Sequence, residues 1–228
     1  FAMVVDVRDV GDAVEVLGYD VARDAPLRIR ARRAIVATPK YVAARIVASV
    51  REDASRPFAW FTYAPWMVAN VHLDTRPRSR GLPFAWDTVL SESRSLGYVT
   101  ATHQRGRDTG PTVLTYYLAF ADADPNRARR ALLESDPDSL CALVLDDLRA
   151  AHQDIDECVT EVVVRRHGHA MVRPVPNFYT SDARRGARVP RGLVHFGNTD
   201  DSGMALFEEA FAQGMRAGAE VVRALAGA

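Results

Sequence analysis

Residues 192–224, GLVHFGNTDDSGMALFEEAFAQGMRAGAEVVRA, decide the fold because they pass from a strand through a turn into a long helix. The apolar run 193–196 predicts a short strand, and Gly197 opens the polar turn after it. From about Ala205 the apolar residues recur at helical spacing, which predicts an amphipathic helix. Its expected inward stripe comprises Leu206, Ala210, Gly214, Ala217, Val221 and Val222. The small residues along it, Ala210, Gly214, Ala217 and Gly218, would let another segment approach the backbone.

The start of this helix is a candidate ligand contact. Its first backbone N–H groups have no partner within the helix, and they lie at the positive end of the helix dipole. Such a helix start suits a phosphate group or an electron-rich ring edge. On these residues alone, a capped surface helix that closes a sheet is the more frequent arrangement.

The composition excludes several classes of protein. The 228 residues carry 29 basic and 29 acidic side chains, so the balance indicates neither a nucleic-acid partner nor an anionic membrane surface. The sequence contains no run of 18 apolar residues, the length that would predict a membrane-spanning helix. The two cysteines, Cys141 and Cys158, lack disulfide-type or metal-type spacing, which is typical of inert thiols in a reducing cytoplasm.

The first part of the chain predicts a hairpin, further strands and a helix. Residues 3–7 and 13–17 flank a turn, and 27–33 resume the alternation of a strand. The fully apolar run 34–37 predicts a strand buried on both faces. Thr38-Pro39 ends that strand, and the apolar spacing of residues 41–50 predicts a helix.

These two ends of the chain resemble the flavin-containing amine oxidase family. That family includes monoamine and polyamine oxidases and relatives of protoporphyrinogen oxidase and phytoene desaturase. Gly197 and the run Asn198-Thr199-Asp200 match its C-terminal turn, and Glu208, Ala210, Gly214 and Ala217 match its helix pattern. Two positions depart from the family: Glu209 and Gln213 stand where a Gly and a Ser are usual.

The resemblance implies an FAD cofactor and the residues that contact it. Val4 matches a family valine near the adenine, and Pro39 matches a proline that lies beside the FAD. The turn and the helix start are expected to contact the ribityl-pyrophosphate and the pyrimidine edge of the flavin. The implied cofactor-binding residues are therefore Val4, Pro39, Gly197, Asn198, Thr199, Asp200, Leu206, Phe207 and Glu208.

The middle of the chain predicts an inserted antiparallel sheet with helices. Residues 67–73, 83–86, 96–102, 112–120 and 158–173 show strand patterns, and 126–134 and 138–151 show helical ones. Asp136 ahead of Pro137 predicts the N-cap of the second helix. The arginine-rich stretch 180–191 is expected to be a solvated loop.

The predicted fold class is α/β with an α+β insert. Residues 1–56 and 190–228 would form a discontinuous FAD-binding layer, and residues 57–189 an antiparallel-sheet substrate domain. Ligand sites commonly form where domains meet, so the insertion is physically reasonable for a small-molecule enzyme.

No catalytic triad is present in the sequence, which is compatible with chemistry carried by a cofactor. The expected substrate-lining residues are Trp66, Tyr116, His167, His169 and Leu206. A metal site at His167-Gly168-His169 is disfavoured because further ligands at diagnostic spacing are missing. The family often places an aromatic ring where Leu206 stands, so this departure argues against a simple small-amine oxidase. For each aromatic, an ordinary core role stays open.

The strand-like start at Phe1 and the absence of a G-x-G-x-x-G loop indicate a fragment of a longer protein. The missing Rossmann segment is expected in the same or another chain. The predicted function is the C-terminal portion of a cytoplasmic, bacterial FAD-dependent oxidoreductase that transfers a hydride from a C–H/amine-type or apolar substrate to flavin. The fragment alone is expected to bind FAD poorly and to be inactive. The alternatives are a non-catalytic fragment that keeps the family fold and a lone α+β domain with an accidental motif match.

Overall fold

The computed structural model describes residues 1–78, 85–106, 109–121 and 124–227. The chain forms two compact units. Unit 1 comprises Phe1–Thr62 and Val172–Ala228, and unit 2 comprises Tyr63–Met171. The chain therefore passes between these compact units after Thr62 and after Met171, whereas the sequence placed the limits of the substrate domain at residues 57 and 189.

The difference in boundaries comes from the packing of aromatic rings within unit 1. Trp60 stacks on Phe178 with ring centroids 5.0 Å apart, and Phe61 meets the same ring edge-on at 6.0 Å. Arg173 donates its backbone N–H to the carbonyl of Thr62 at 2.8 Å. These contacts hold residues 57–62 and 172–189 in unit 1 although the sequence change at Pro57 suggested otherwise.

Unit 1 begins with a three-stranded antiparallel sheet, as predicted. Its strands are β1 (Ala2–Asp9), β2 (Val14–Asp20) and β3 (Ala25–Ala31), in the order β1-β2-β3. Their register pairs Val7 with Val16 and Val16 with Ile29. Val7 and Val14 are buried, while most of the outer face of β1 is exposed.

The helix expected at 41–50 is broken into two. After the short strand β4 (Ala34–Val36), α1 (Lys40–Ile46) and α2 (Ala48–Arg51) are separated by Val47. Val47 has extended dihedrals, φ −89° and ψ 113°, and forms a parallel bridge with Val7 of β1. The pairing with β1 thus outweighs the helical pattern at this residue. The prediction that β4 is buried on both faces is wrong in this chain: Ile35 on β4 is 43% exposed.

The last part of unit 1 contains a short helix, a strand and a long helix. α6 (Asp182–Ala187) lies within the predicted loop 180–191, and the Ser181 side chain caps it by accepting the N–H of Ala183. β10 (Val194–Phe196) pairs in parallel with β4. The predicted C-terminal helix is α7 (Phe207–Ala226).

Unit 2 is a five-stranded sheet covered on one face by helices. Its strands are β5 (Tyr63–Leu73), β6 (Asp87–Thr88), β7 (Tyr98–Thr100), β8 (Thr112–Ala119) and β9 (Val159–Val172), in the order β6-β7-β8-β5-β9. The β6–β7, β7–β8 and β8–β5 pairs are antiparallel. Residues 83 and 84 of the strand expected at 83–86 lie outside the described residues, and β6 follows that stretch.

The two long helices of unit 2 both begin at an Asp-Pro pair, as the sequence predicted for Asp136-Pro137. α3 (Pro125–Glu134) and α4 (Pro137–Ala151) each start with a proline, and Asp124 and Asp136 accept N–H groups of the first turns. A short helix, α5 (Ile155–Cys158), precedes β9 and was not predicted. The core between sheet and helices includes Met67, Leu114, Leu132, Val144 and Leu148. The chain thus combines an α/β part with an antiparallel α+β insert, as expected.

Among the described residues, no helix is both long enough and apolar enough to cross a membrane.

Candidate functional site

The candidate site lies at the carboxyl ends of two parallel strands of unit 1. β4 and β10 are in register, with Val36 opposite Phe196, so both strands end at the same edge. The N–H of Gly197 donates to the carbonyl of Val36 at 3.1 Å and continues the pairing by one step. In open α/β sheets, ligands bind in the crevice beyond this edge.

Beyond the strand ends, residues 197–201 are tied to residues 37–40. Asn198 Nδ2 donates to the carbonyl of Ala37 at 3.0 Å, and the N–H of Lys40 donates to Asp200 Oδ2 at 2.7 Å. Asn198 Oδ1 also accepts the N–H of Asp200 at 3.0 Å, which caps the 3₁₀ turn Thr199–Asp201. The structure therefore brings together Pro39, Gly197, Asn198, Thr199 and Asp200 of the predicted cofactor residues.

A buried ion network lies beneath this turn, and the sequence reasoning missed it. Lys40 Nζ is 2.7 Å from Asp201 Oδ1, and Arg216 Nη2 is 3.1 Å from Asp201 Oδ2. The side chains of Lys40 and Asp201 are 1% and 0% exposed. Lys40 Nζ also donates to the carbonyl of Ala187 at 2.8 Å. The available signal was that Lys40 is the single lysine of the sequence and follows Thr38-Pro39 directly.

Burial and charge act in opposite directions on the lysine. Burial lowers the pKa of Lys40, while the carboxylate of Asp201 acts to raise it. The ammonium also lies 4.7 Å from the ring centroid of Phe196 and 5.0 Å from that of Phe58, within cation–π range. A buried ion pair of this kind needs both partners, because removing one leaves an uncompensated charge.

The middle of α7, and not its start, packs against the turn. A Cβ placed on Gly197 would lie 3.0 Å from the Cβ of Ala217 and 3.1 Å from the carbonyl oxygen of Gln213. Arg216 Nη2 donates to the carbonyl of Phe196 at 2.7 Å. A side chain at residue 197 would therefore press against α7, which favours glycine at this position.

A second polar group on α7 extends the network to β10. Glu220 Oε1 is 2.7 Å from Arg216 Nη1, and Glu220 Oε2 is 3.3 Å from His195 Nδ1. Burial raises the pKa of Glu220, but hydrogen bonds from Arg216 and His195 outweigh it and bring the pKa below its ordinary value. His195 Nε2 is buried and has no hydrogen-bond partner among the described residues.

The inward stripe expected on α7 is wrong except at Ala217. Leu206, Ala210 and Val222 are exposed, and a Cβ on Gly214 or Gly218 would meet nothing within 4 Å. The helix buries Ala217 together with Gln213, which the expected stripe did not include. The physical reason is that Arg216 pairs with Asp201 of the turn and Glu220 meets His195 of β10, so this face of the helix turns toward β10. Large apolar side chains are left exposed on the helix: Leu206, Phe207, Phe211, Met215 and Val222.

The remaining predicted cofactor residues do not join the turn. Leu206, Phe207 and Glu208 at the start of α7 are exposed. Val4 lies on the exposed face of β1, apart from the strand ends that form the site. Their roles remain predictions from the resemblance.

The predicted substrate-lining residues of unit 2 are divided between the two faces of its sheet. Tyr116 is opposite Ala69 and faces the helices, whereas Trp66 is opposite Ala119 and points to the other face, because side chains alternate along a strand. His167 and His169 share one face of β9, and the ring of His169 meets Tyr63 edge-on at 6.1 Å. Trp66 and Tyr116 therefore cannot line one cavity on a single face.

Tyr116 lines a cavity of about 690 Å³ between β8 and α4. Its hydroxyl donates to Asp147 Oδ2 at 2.8 Å, and Ser93 and Ser95 donate to the same oxygen at 2.5 and 2.8 Å. Burial raises the pKa of the Tyr116 hydroxyl, so it serves as a donor. Within the described part of the chain, no group of three or more His, Cys, Asp or Glu side chains could hold a metal ion.

One comparison with known proteins identifies a family. Residues 4–222 match the family model described as flavin containing amine oxidoreductase. No curated protein matches the sequence significantly.

Solved structures share the fold at low identity. A redesigned triple mutant of putrescine oxidase superposes with a TM-score of 0.71 at 16% identity, covering 97% of this chain and 48% of that one. Wild-type putrescine oxidase bound to putrescine gives 0.70 at 16% identity with the same coverage. Cyclohexylamine oxidase from Brevibacterium oxydans gives 0.65, again at 16% identity and the same coverage. The chain thus spans about half the length of the structures it resembles.

Proposed function

Because the chain belongs to the flavin-containing amine oxidoreductase family, we propose that it is the C-terminal portion of an FAD-dependent oxidoreductase. Unit 1 would bind part of the FAD and unit 2 would hold a small-molecule substrate. The observation that carries the proposal is the turn of residues 197–201, held beside residues 37–40 at the carboxyl ends of β4 and β10.

The polar groups of this turn suit the hydroxyl-rich part of the cofactor. Asn198, Thr199 and Asp200 offer an amide, a hydroxyl and a carboxylate, which hydrogen-bond well to ribityl hydroxyls. Thr38 adds a buried hydroxyl that has no hydrogen-bond partner among the described residues. The nearby cations, Lys40 and Arg216, are already paired with Asp201, so the turn offers less to the pyrophosphate. This donor set fits the ribityl chain of FAD.

The FAD, when bound, supplies the acceptor for a hydride from a C–H bond of the substrate. The residues of this chain bind and orient: the turn would hold the ribityl chain, and the sheet of unit 2 would present the substrate. The substrate class proposed is an amine or another molecule with an activated C–H bond. Putrescine oxidase and cyclohexylamine oxidase, by their names, act on amines.

A further FAD-binding segment is needed to complete unit 1, in the same chain or in a partner. β4 and β10 form a parallel sheet of two strands, and parallel sheets are normally covered on both faces. Ile35 on β4 is 43% exposed, and Phe207, Phe211 and Met215 on α7 are 79%, 62% and 62% exposed. Phe207, Phe211 and Met215 recur every four residues and so share one face of α7, and an exposed apolar face of this kind marks an interaction site. We propose that a segment with the G-x-G-x-x-G loop covers these faces.

The alternative is a non-catalytic fragment that keeps the family fold but has lost the flavin site. The two departures from the family motif do not disturb the turn. Gln213 Oε1 accepts Arg216 Nε at 2.9 Å and so takes part in the buried network. Glu209 lies in the first turn of α7, where its carboxylate interacts favourably with the positive end of the helix dipole. These contacts favour the oxidoreductase.

The test is flavin retention and flavin reduction. The chain is produced alone and together with the segment that carries the G-x-G-x-x-G loop, and visible flavin absorbance per protein is measured after purification. The proposal expects stoichiometric FAD only in the complete protein, and bleaching of the flavin when an amine is added without oxygen. A complete protein that takes up no FAD contradicts the proposal. Stable FAD binding without bleaching by any amine tested supports the non-catalytic alternative.

A further inference from the structure

A second cavity lies within unit 1, away from residues 197–201. α1, α2 and the loop that follows them enclose about 320 Å³. This volume lies in the range of small-molecule sites. Its floor is formed by Val50, Phe58 and Phe61, all of which are buried. The floor is therefore apolar and largely aromatic.

The rim of this cavity is positively charged. Arg45, Arg51 and Arg56 line it, and none of the described residues that line it is acidic. Arg51 is already engaged: its Nη1 lies 2.9 Å from Asp6 Oδ1 and donates to the carbonyl of Arg45 at 2.9 Å. Among the described residues, the guanidinium groups of Arg45 and Arg56 form no ion pair and no hydrogen bond. Two cations at the cavity are thus uncompensated.

The backbone at Arg56 is strained and firmly held. Arg56 has a φ of 49°, in the left-handed region that side chains other than glycine rarely adopt. Asp53 anchors the loop by accepting the N–H and hydroxyl of Ser55 at 2.9 and 2.6 Å and by pairing with Arg191 at 3.0 Å. Arg56 donates its N–H to the carbonyl of Asp53 at 2.9 Å. Because the backbone of the loop is already fixed, binding a ligand at Arg56 carries no further cost of ordering the loop.

From this combination we propose that the cavity binds a small organic anion with an aromatic body, such as an aromatic carboxylate. Guanidinium groups pair with carboxylates through two parallel hydrogen bonds, and the floor of Phe58 and Phe61 accommodates a ring. A cleft lined by charge of one sign raises the local concentration of counter-ions. The site is independent of the proposed flavin function, since none of residues 197–201 lines the cavity.

The first experiment is a calorimetric titration of the 228-residue chain with benzoate and with phenylacetate. Saturable binding with a Kd of about 1 mM or below is expected for one or both. Benzyl alcohol supplies the ring without the charge, and inorganic phosphate supplies the charge without the ring. Both are expected to bind at least about tenfold more weakly, because each lacks one of the two interactions.

Two variants locate the binding. Arg56→Gly removes the cation and also relieves the left-handed backbone, so the thermal midpoint is expected to stay the same or rise. Arg45→Ala removes the other cation from an exposed helical position. Each should weaken benzoate binding by about tenfold or more. The matched control is Arg130→Ala, an exposed arginine on α3 in unit 2, which should leave the affinity unchanged.

Several results would overturn the proposal. These are the absence of saturable binding to either carboxylate, or binding that survives both Arg56→Gly and Arg45→Ala. If phosphate bound as tightly as benzoate binds, the cavity would recognise charge alone. If benzyl alcohol bound as tightly as benzoate binds, the cavity would recognise the apolar ring alone. Flavin content plays no part in the readout, so failure here leaves the proposed function untouched.

Discussion

Unit 1 and unit 2 bury their polar groups in different ways. In unit 1, full charges lie at the centre, with Lys40, Asp201 and Arg216 in one network. In unit 2, the buried polar side chains are uncharged types such as Tyr98, whose hydroxyl lies 2.6 Å from His152 Nε2. The apolar core of unit 2 is continuous between its sheet and its helices. Unit 2 therefore depends on apolar packing, whereas unit 1 depends on a few charges that also position the candidate site.

The largest effect is expected from breaking the ion network. Asp201→Ala leaves Lys40 and Arg216 buried without a carboxylate, and losing one partner of such a pair typically costs about 3–5 kcal/mol. Urea unfolding followed by hydrogen exchange should show unit 1 opening first while unit 2 stays protected. Asp12→Ala is the control, because Asp12 pairs with Arg30 in solvent and should change little. Equal stability of Asp201→Ala and the parent chain would contradict the account.

The corresponding break in unit 2 is apolar. Leu148 on α4 is fully buried, so Leu148→Ala should destabilise unit 2 by about 2–5 kcal/mol through lost burial and a residual cavity. Leu143→Ala on the same helix is the matched control, because Leu143 is 39% exposed whereas Leu148 is 0% exposed. Hydrogen exchange of unit 1 should be unaffected by either change. Similar losses for both leucines would argue against the packing described for α4.

Substitutions at two glycines test which face of α7 is packed. Gly197→Ala would press a methyl group against Ala217 and Gln213, and overpacking of this kind typically costs about 1–3 kcal/mol. Gly214→Ala adds a methyl in open space on a helix, so it should stabilise by up to about 1 kcal/mol. The measurement is the urea midpoint of both variants. Destabilisation by Gly214→Ala would mean that the exposed face of α7 is covered in this chain.

The smallest effect is a pH dependence of unit 2. Burial lowers the pKa of His152 below its ordinary value of 6.5. The unfolded state then binds more protons between the folded pKa and 6.5, so stability should rise with pH across that window. His152→Gln should flatten this dependence, while His103→Gln, at an exposed position, should preserve it. A slope that is unchanged in His152→Gln would assign the effect to another group.

Local signals predicted much of unit 2. Asp136 ahead of Pro137 located the start of α4, and alternation along residues 112–120 located β8. These features depend on residues close together in sequence, such as a cap that accepts a neighbouring N–H. The same reasoning missed α6, because the cap at Ser181 lies in an arginine-rich stretch without apolar periodicity.

Long-range contacts decided what the sequence could not show. Val47 breaks the helix at 41–50 because it pairs with Val7, forty residues earlier in the chain. The face that α7 buries depends on Arg216 reaching Asp201 and the carbonyl of Phe196. Apolar residues occur on more than one side of α7, so periodicity alone could not choose between them. At the candidate site, the motif indicated the turn, but Lys40 and its buried partners needed the structure.

The most direct test is hydrogen exchange of the complete protein with and without FAD. The account predicts slower exchange on FAD binding at the backbone N–H groups of Ala37, Thr38, Lys40 and residues 197–201, with α7 protected over its exposed apolar face. Asp200→Ala should reduce that protection, because Asp200 accepts the N–H of Lys40 and joins the two segments. Tight FAD binding that leaves both segments exchanging as fast as in the FAD-free protein would contradict the assignment of the flavin site.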